Sequence, residues 1–390
     1  MLSRTLFNLE ISARAALSTR RRQPRRPLAG GPTDLFLCVT DHYEPHVGAP
    51  EAGLARARHE DWLNRYPQVA RGHRDADGCP PAHTFCYPWD EHDPWELRTL
   101  ADLCAAGWGE IELHLHHQDD TEATLRQKLR EGIQTYHRAG ALSVWPDGRP
   151  AFGFVHGNWA LDNSRQEGGR NYCGVNNELT VLQEEGCYAD FTFPAWQHTA
   201  QPRKVNSIYY AIDDPGRPKS YDSGRSARVG GGNREGLLLV QGPLVPYWAR
   251  AKRGGRIAMD DGDLAACRRY EPARLDRWVK AGVHVAGRPD RVFIKLHCHG
   301  AADGNRAALL GGDLEALFTD AEGRYNDGTR FRLHYVTARE MFNVIRATED
   351  GAEDGPHLRD WVLPPPGALA RTPGQGWPLR LWERPDPVRW

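Results

Sequence analysis

The segment Glu110–His117 reads E-I-E-L-H-L-H-H, an alternating run that ends in three histidines. Residues at i and i+2 of a strand share one face, so His114 and His116 point together, whereas His117 points away unless the strand has ended. Neutral imidazole nitrogens and carboxylate oxygens are the ligands of borderline divalent cations, zinc above all. A catalytic site of this kind takes three of them from the protein and leaves a position for water. The cation lowers the pKa of that water toward about 7 and so yields a nucleophile at neutral pH. A lone H-x-H is equally the spacing of two hydrogen-bonded core histidines, so the residues that accompany it decide between the readings.

That company sits at the ends of other apolar runs. Asp41, His42 and His46 follow Leu35–Thr40, His156 and Asn158 follow Phe152–Val155, and Asp190 stands within Tyr188–Pro194. His297 and His299 close Arg291–His297. In parallel α/β barrels ligands and catalysis gather at the C-terminal ends of the strands, so five ends supply acids and imidazoles to one face. Trp89, Trp95, Trp159, Trp196 and Tyr43 lie near these tips, either as a wall against sugar rings or as packing for Pro-rich loops. The histidines at 59, 73, 83, 92, 137, 198, 284 and 357 read as surface or structural.

The elements that must position these tips alternate. Strand runs are expected at 34–40, 83–88, 110–117, 152–159, 188–194, 237–241 and 291–297, with a further one at 334–337. Helical stretches are expected at 53–66, ended by Pro67, and at 96–106, 122–139, 177–185, 272–281 and from 338. Repeated strand, polar tip and helix is the pattern of a parallel α/β fold, barrel or doubly wound. The stretch from His198 to Arg234 reads as a loop-like insertion near the site.

Composition removes other classes. A net charge of -1 and a pI near 7.0 argue against a whole-protein nucleic-acid partner. No apolar run reaches the roughly 18 residues of a membrane span. The eight cysteines form no C-x-x-C pair and several sit in apolar runs, as in a reduced, cytoplasmic protein. Residues 1–32 carry seven arginines against one acid and no secretory apolar core. They read as a flexible basic tail or as a short amphipathic helix touching an anionic membrane surface, peripheral to the inner membrane. Residues 33–346 form the expected catalytic domain, and 347–390, Pro- and Trp-rich, a C-terminal extension packed on it.

These tips resemble the NodB-homology polysaccharide deacetylases of the carbohydrate esterase type. Leu37–His42 resembles the first-strand aspartate motif of that family, and Glu110–His116 resembles its histidine-bearing strand. Phe154–Trp159 stands where its loop motif falls. Tyr188–Phe191 resembles its aspartate motif, Ile294–His297 its late histidine motif, and Tyr335–Glu340 its closing strand-to-helix turn. The match runs from Thr33 to Ile345. It departs in having one aspartate followed by His42, Gln118 four residues after His114, and no arginine in the loop motif. The resemblance implies a distorted parallel (β/α) barrel of seven or eight strands. It also implies a zinc-type divalent cation on His114, His116 and either Asp41 or His42. Asp41 would be the base if it is not a ligand, and His297 or His299 the acid, with Asp190 orienting His297. His117, His156, Asn158, Trp159, Trp196 and His299 would meet the carbohydrate, and the reaction would be removal of acetyl groups from a polysaccharide or glycan precursor. Rival readings are another metal-dependent hydrolase, a glycosidase using Asp41 and Asp190, and a non-catalytic barrel that binds glycan or a partner.

Overall fold

Ten consecutive buried residues, Thr33–His42, form strand β1, an interior strand of the main sheet. A strand buried along its whole length is covered on both faces, the mark of a parallel α/β sheet. The computed structural model describes residues 2–22, 31–48, 51–251 and 254–367. In chain order they form helix α1 (Leu2–Arg22), β1, α2 (Ala52–Ala70), β2 (His83–Pro88), α3 (Pro94–Leu103), β3 (Gly109–Leu115) and α4 (Glu122–Arg138). There follow β4 (Pro150–His156), α5 (Glu178–Glu184), β5 (Cys187–Asp190), β6 (Ser207–Ala211) and β7 (Leu237–Gln241). The hairpin β8 (Val245–Ala251) and β9 (Gly254–Asp260) comes next, then β10 (Asp263–Leu264), α6 (Pro272–Ala281) and β11 (Arg291–Cys298). The described chain continues with α7 (Asp303–Ala308), α8 (Leu314–Tyr325), β12 (Phe331–Tyr335) and α9 (Ala338–Glu349).

The large, mostly parallel sheet follows the order β6–β7–β5–β4–β3–β2–β1–β11–β10. Strand β1 pairs with β11 from Asp34↔Arg291 to Asp41↔Cys298. Its other edge is shared: Thr33–Leu37 pair with β12, and Thr40–His42 pair with β2. Arg225–Ser226 pair antiparallel with β6 and form one end of the sheet, β10 forms the other, and these two ends do not pair with each other among the described residues, so what stands is a mixed α/β fold around one large sheet.

Alternation sorts each strand onto two faces. Leu35, Leu37 and Val39 of β1, Ile111, Leu113 and Leu115 of β3, and Ile294 and Leu296 of β11 pack with Trp62, Tyr66, Leu100, Leu129 and Leu317 of the covering helices. Phe36, Cys38 and Phe293 turn to the opposite face and meet Met341, Phe342 and Ile345 of α9. That second face carries His42, His114 and His297 farther along the same strands.

Local chemistry fixes the helix starts, at 122 and 338 as expected and at Pro94 rather than 96. Asp93 caps α3 by accepting from the amides of Trp95 and Glu96, with Pro94 at the first position. Thr121 and Thr337 open α4 and α9 through capping boxes. Helix α2 runs through Pro67 to Ala70 instead of stopping, because Trp62, Tyr66 and Ala70 bury on one face and outweigh one missing N–H. The stretch His198–Arg234 is not all loop: Ser207–Ala211 within it pairs antiparallel with β7.

The N-terminal expectation resolves toward a helix. Residues 2–22 are helical, and Ile11 and Ala15 bury against Val205, Leu244 and Met259. At the other end Leu358 and Leu363 join the core around α9. The Trp-rich stretch 368–390 lies outside the described residues. Arg339 of α9 ties that end to β3. Buried, it donates to Glu110 Oε2 and Oε1 at 2.9 and 2.6 Å, to Asp360 at 2.8 Å and to the Leu363 carbonyl at 2.8 Å. Removing one side of a buried ion pair strands the other. Arg339→Met is therefore expected to lower unfolding free energy by ~3–5 kcal/mol in urea titration; a loss under about 1 kcal/mol would contradict this role.

Candidate metal centre

Strand β3 ends at Leu115, so His116 and His117 stand just past its tip. His114 and His116 converge, as their spacing predicts, on a carboxylate of β1's following turn. Glu44 Oε1 lies 3.1 Å from His114 Nε2 and 2.8 Å from His116 Nε2, and Oε2 lies 3.0 Å from His299 Nδ1. Three strand ends, those of β1, β3 and β11, thus meet on one buried carboxylate. The His42 ring adds itself from β1, its centroid 5.0 Å from that of His114 and 4.6 Å from that of His299.

The electrostatics follow from crowding. Burial raises Glu44, but the imidazoles of His114, His116 and His299 outweigh it and hold the carboxylate well below its usual range. Burial pulls His116 down, yet hydrogen bonds to Asp90 and Glu44 push it up to about 10. His42 is driven well below its ordinary value by burial and then by His299 and His114. His42 Nδ1 and His114 Nδ1 are buried without a hydrogen-bond partner. An unmatched buried donor or acceptor costs roughly 1–3 kcal/mol, so this cluster is not arranged for stability.

The donor set fits a borderline divalent cation. Glu44, His114 and His116 each offer a ligand atom, all within 4.8 Å of one another, and His₂Glu is a known catalytic zinc set. Second contacts aim these side chains. Asp90 accepts from the His116 amide at 2.8 Å and lies 3.1 Å from its Nδ1. Gly157 leaves room for the ring, since a Cβ there would stand 2.3 Å from His116 Cδ2.

Of the two candidates expected beside His114 and His116, His42 stands at the cluster and Asp41 does not. Asp41 falls on the helix-covered face, where its carboxylate accepts from the Gly300 amide at 2.6 Å and lies 3.1 Å from His83 Nε2. It is neither beside His114 nor free to act as a base. A Cβ at Gly300 would stand 2.1 Å from Asp41 Oδ2, so the H-C-H-G turn needs glycine there to bring His299 to Glu44. Glu44 offers a carboxylate there instead, because it is two residues after His42 and on the same side.

A cavity of about 350 Å³ borders the cluster, lined by Trp159, Trp196, Asp261, Asp263, Arg268, His297 and His299 among others. Trp159 stands edge-on to His42 and His299, with centroids 6.0 and 5.8 Å away. Trp196 is propped from behind by the Ile11–Met259 cluster that seats α1. Of the expected substrate contacts, Trp159, Trp196 and His299 line this cavity. His117 and His156 do not: both side chains are fully buried. Asn158 is a loop clip, donating to the His117 carbonyl at 2.9 Å.

The acid pair also separates. Asp190 is buried beneath, accepting from the Thr192 amide and hydroxyl at 3.1 and 2.7 Å, and does not touch His297. Burial, then Lys295 and His299, push His297 well below its ordinary value, so it is neutral rather than held cationic. The cavity acids are instead Asp261 and Asp263, both raised by burial, with Arg268 2.6 Å from Asp261. Asp263 pairs in register with His297 through β10. Its run Asp260-Asp261-Gly262-Asp263 is the sequence signal for these acids.

The chain matches no protein-family model and no curated protein sequence. Loss of an outer partner of a metal ligand typically weakens binding 10–100-fold. Asp90→Asn is expected to lower zinc affinity by about that factor in calorimetric titration, and Gly157→Ala to lower it by displacing His116, while Asp41→Asn lowers thermal stability. Unchanged affinity in both of the first two would contradict the assignment.

Proposed function

We propose that this chain is a metal-dependent hydrolase that removes acetyl groups from a polysaccharide or glycan precursor, on a distorted (β/α) barrel of the polysaccharide-deacetylase kind. The observation that carries the reading is the meeting of His114, His116 and His299 on Glu44, beside a cavity walled by Trp159 and Trp196. Glu44, His114 and His116 would hold a divalent cation, zinc by their donor set, which would supply a water of lowered pKa and Lewis acidity toward an acyl oxygen.

The chain's own groups do the rest. Asp263, whose carboxyl is raised by burial, accepts a proton from water and returns it to the leaving amine or hydroxyl. Neutral His297 offers a hydrogen bond to the acyl oxygen, and the positive field of Lys295, Arg268 and Arg274 around it favours negative charge developing there. Trp159 and Trp196 present flat apolar surface to a sugar ring while their indole edges remain polar. Asp41 and Asp190, the carboxylates of a glycosidase reading, lie outside the cavity lining, which favours the hydrolase. The outer face of α1, with Leu6, Leu9 and Leu17 exposed beside Arg14, Arg20 and Arg21, supports peripheral contact with an anionic membrane.

Zinc-loaded protein incubated with N- and O-acetylated oligosaccharides is expected to release acetate. Asp263→Asn should slow release by about 10²–10⁴-fold, the usual range for a lost acid–base group. No acetate from any acetylated sugar, in protein that does bind zinc, would overturn the substrate assignment.

A further inference from the structure

One residue beyond His116 a different cluster closes on itself. His117 follows β3, His156 ends β4, Cys173 lies in the 157–177 loop and Glu178 opens α5, and all four side chains are buried. Their ligand atoms lie within 4.8 Å of one another. Glu178 Oε1 is 2.9 Å from His117 Nε2 and 3.8 Å from His156 Nε2, and Cys173 Sγ is 3.3 Å from Glu178 Oε2. Asp120 Oδ2 stands 3.0 Å from His117 Nδ1, the outer carboxylate that orients a ligating imidazole. The Val175 amide points at Cys173 Sγ from 3.5 Å.

A proton between His117 Nε2 and Glu178 Oε1 is the competing occupant of this centre. It leaves His156 Nε2 buried without a hydrogen-bond partner, aimed at Glu178 from beyond hydrogen-bond range. A cation satisfies all four donors at once. Coordination through His156 Nε2 moves that ring's proton to Nδ1 and gives up the 3.2 Å contact from the Asn158 amide. Uptake also releases the Cys173 thiol proton and any proton on His117 Nε2.

We propose that His117, His156, Cys173 and Glu178 hold a second divalent cation, zinc by its thiolate, as a structural site. Four protein ligands and full burial leave no position for water, in contrast to the three-ligand Glu44 centre. The site would pin the 157–177 loop to β3, β4 and α5. That loop carries Gly157 against His116 and Trp159 over His42 and His299, so the second cation holds the first centre in shape.

Cobalt loading of the full chain separates the two sites. Cobalt on Cys173 gives a near-ultraviolet thiolate charge-transfer band, which a site of Glu44, His114 and His116 cannot give. Wild type is expected to bind two cobalt per chain and show the band. Cys173→Ser should fall to one and lose it, and the His114→Ala/His116→Ala double variant should fall to one and keep it. His156→Gln, which retains the thiol, should weaken or shift the band and stands in if Cys173→Ser does not fold. No band in cobalt-loaded wild type, or a band unchanged in either Cys173→Ser or His156→Gln, overturns the proposal whatever becomes of the Glu44 centre.

Discussion

A carboxylate taken out of water must be matched by charge or by hydrogen bonds, and Glu44 is matched by three imidazoles drawn from two other strand ends. That match constrains the sheet around it. Strand β1 must place Glu44 and His42 on one side, β3 must end at Leu115 so that His114 and His116 both reach inward, and β11 must turn at Gly300 to deliver His299. The full register of β1 with β11, the pairing of β1 with β2 and that of β2 with β3 set these three tips relative to one another. The Nδ1 atoms of His42 and His114 remain buried without a hydrogen-bond partner in this arrangement.

Much of this frame is legible in the sequence because it rests on local rules. The runs of β1, β3 and β11 are apolar and bounded by polar tips, and the caps at Asp93, Thr121 and Thr337 are set by residues within one helical turn. Period-two alternation alone picks His114 and His116 as a pair. It does not say which face of β1 looks toward them. Asp41 and His42 are adjacent, so one of them had to face the helices, and burial of Asp41 against Gly300 and His83 settles which. Glu44 stands in the same polar tip but carries no signal until the turn after β1 is seen to continue its alternation.

The parts that sequence reading misses are those that depend on distant contacts. Cys173 and Glu178 sit in a loop and at a short helix start, and only folding brings them to His117 and His156. Asp261 and Asp263 belong to a turn whose register with His297 is a property of the sheet edge. The docking of α1 through Ile11 and Ala15 depends on Met259 and Leu244, far along the chain, and through Trp196 it reaches the cavity wall. Each is a case where a tertiary contact, not local propensity, decides the role.

Glu44, His114 and His116 are proposed to hold a catalytic cation. Anomalous diffraction from zinc-loaded crystals, recorded above and below the zinc edge, tests it most directly. A peak is expected between the Glu44 carboxylate and the Nε2 atoms of His114 and His116. Zinc-loaded crystals with no peak there, and with Glu44 still hydrogen-bonded to its imidazoles, would contradict it.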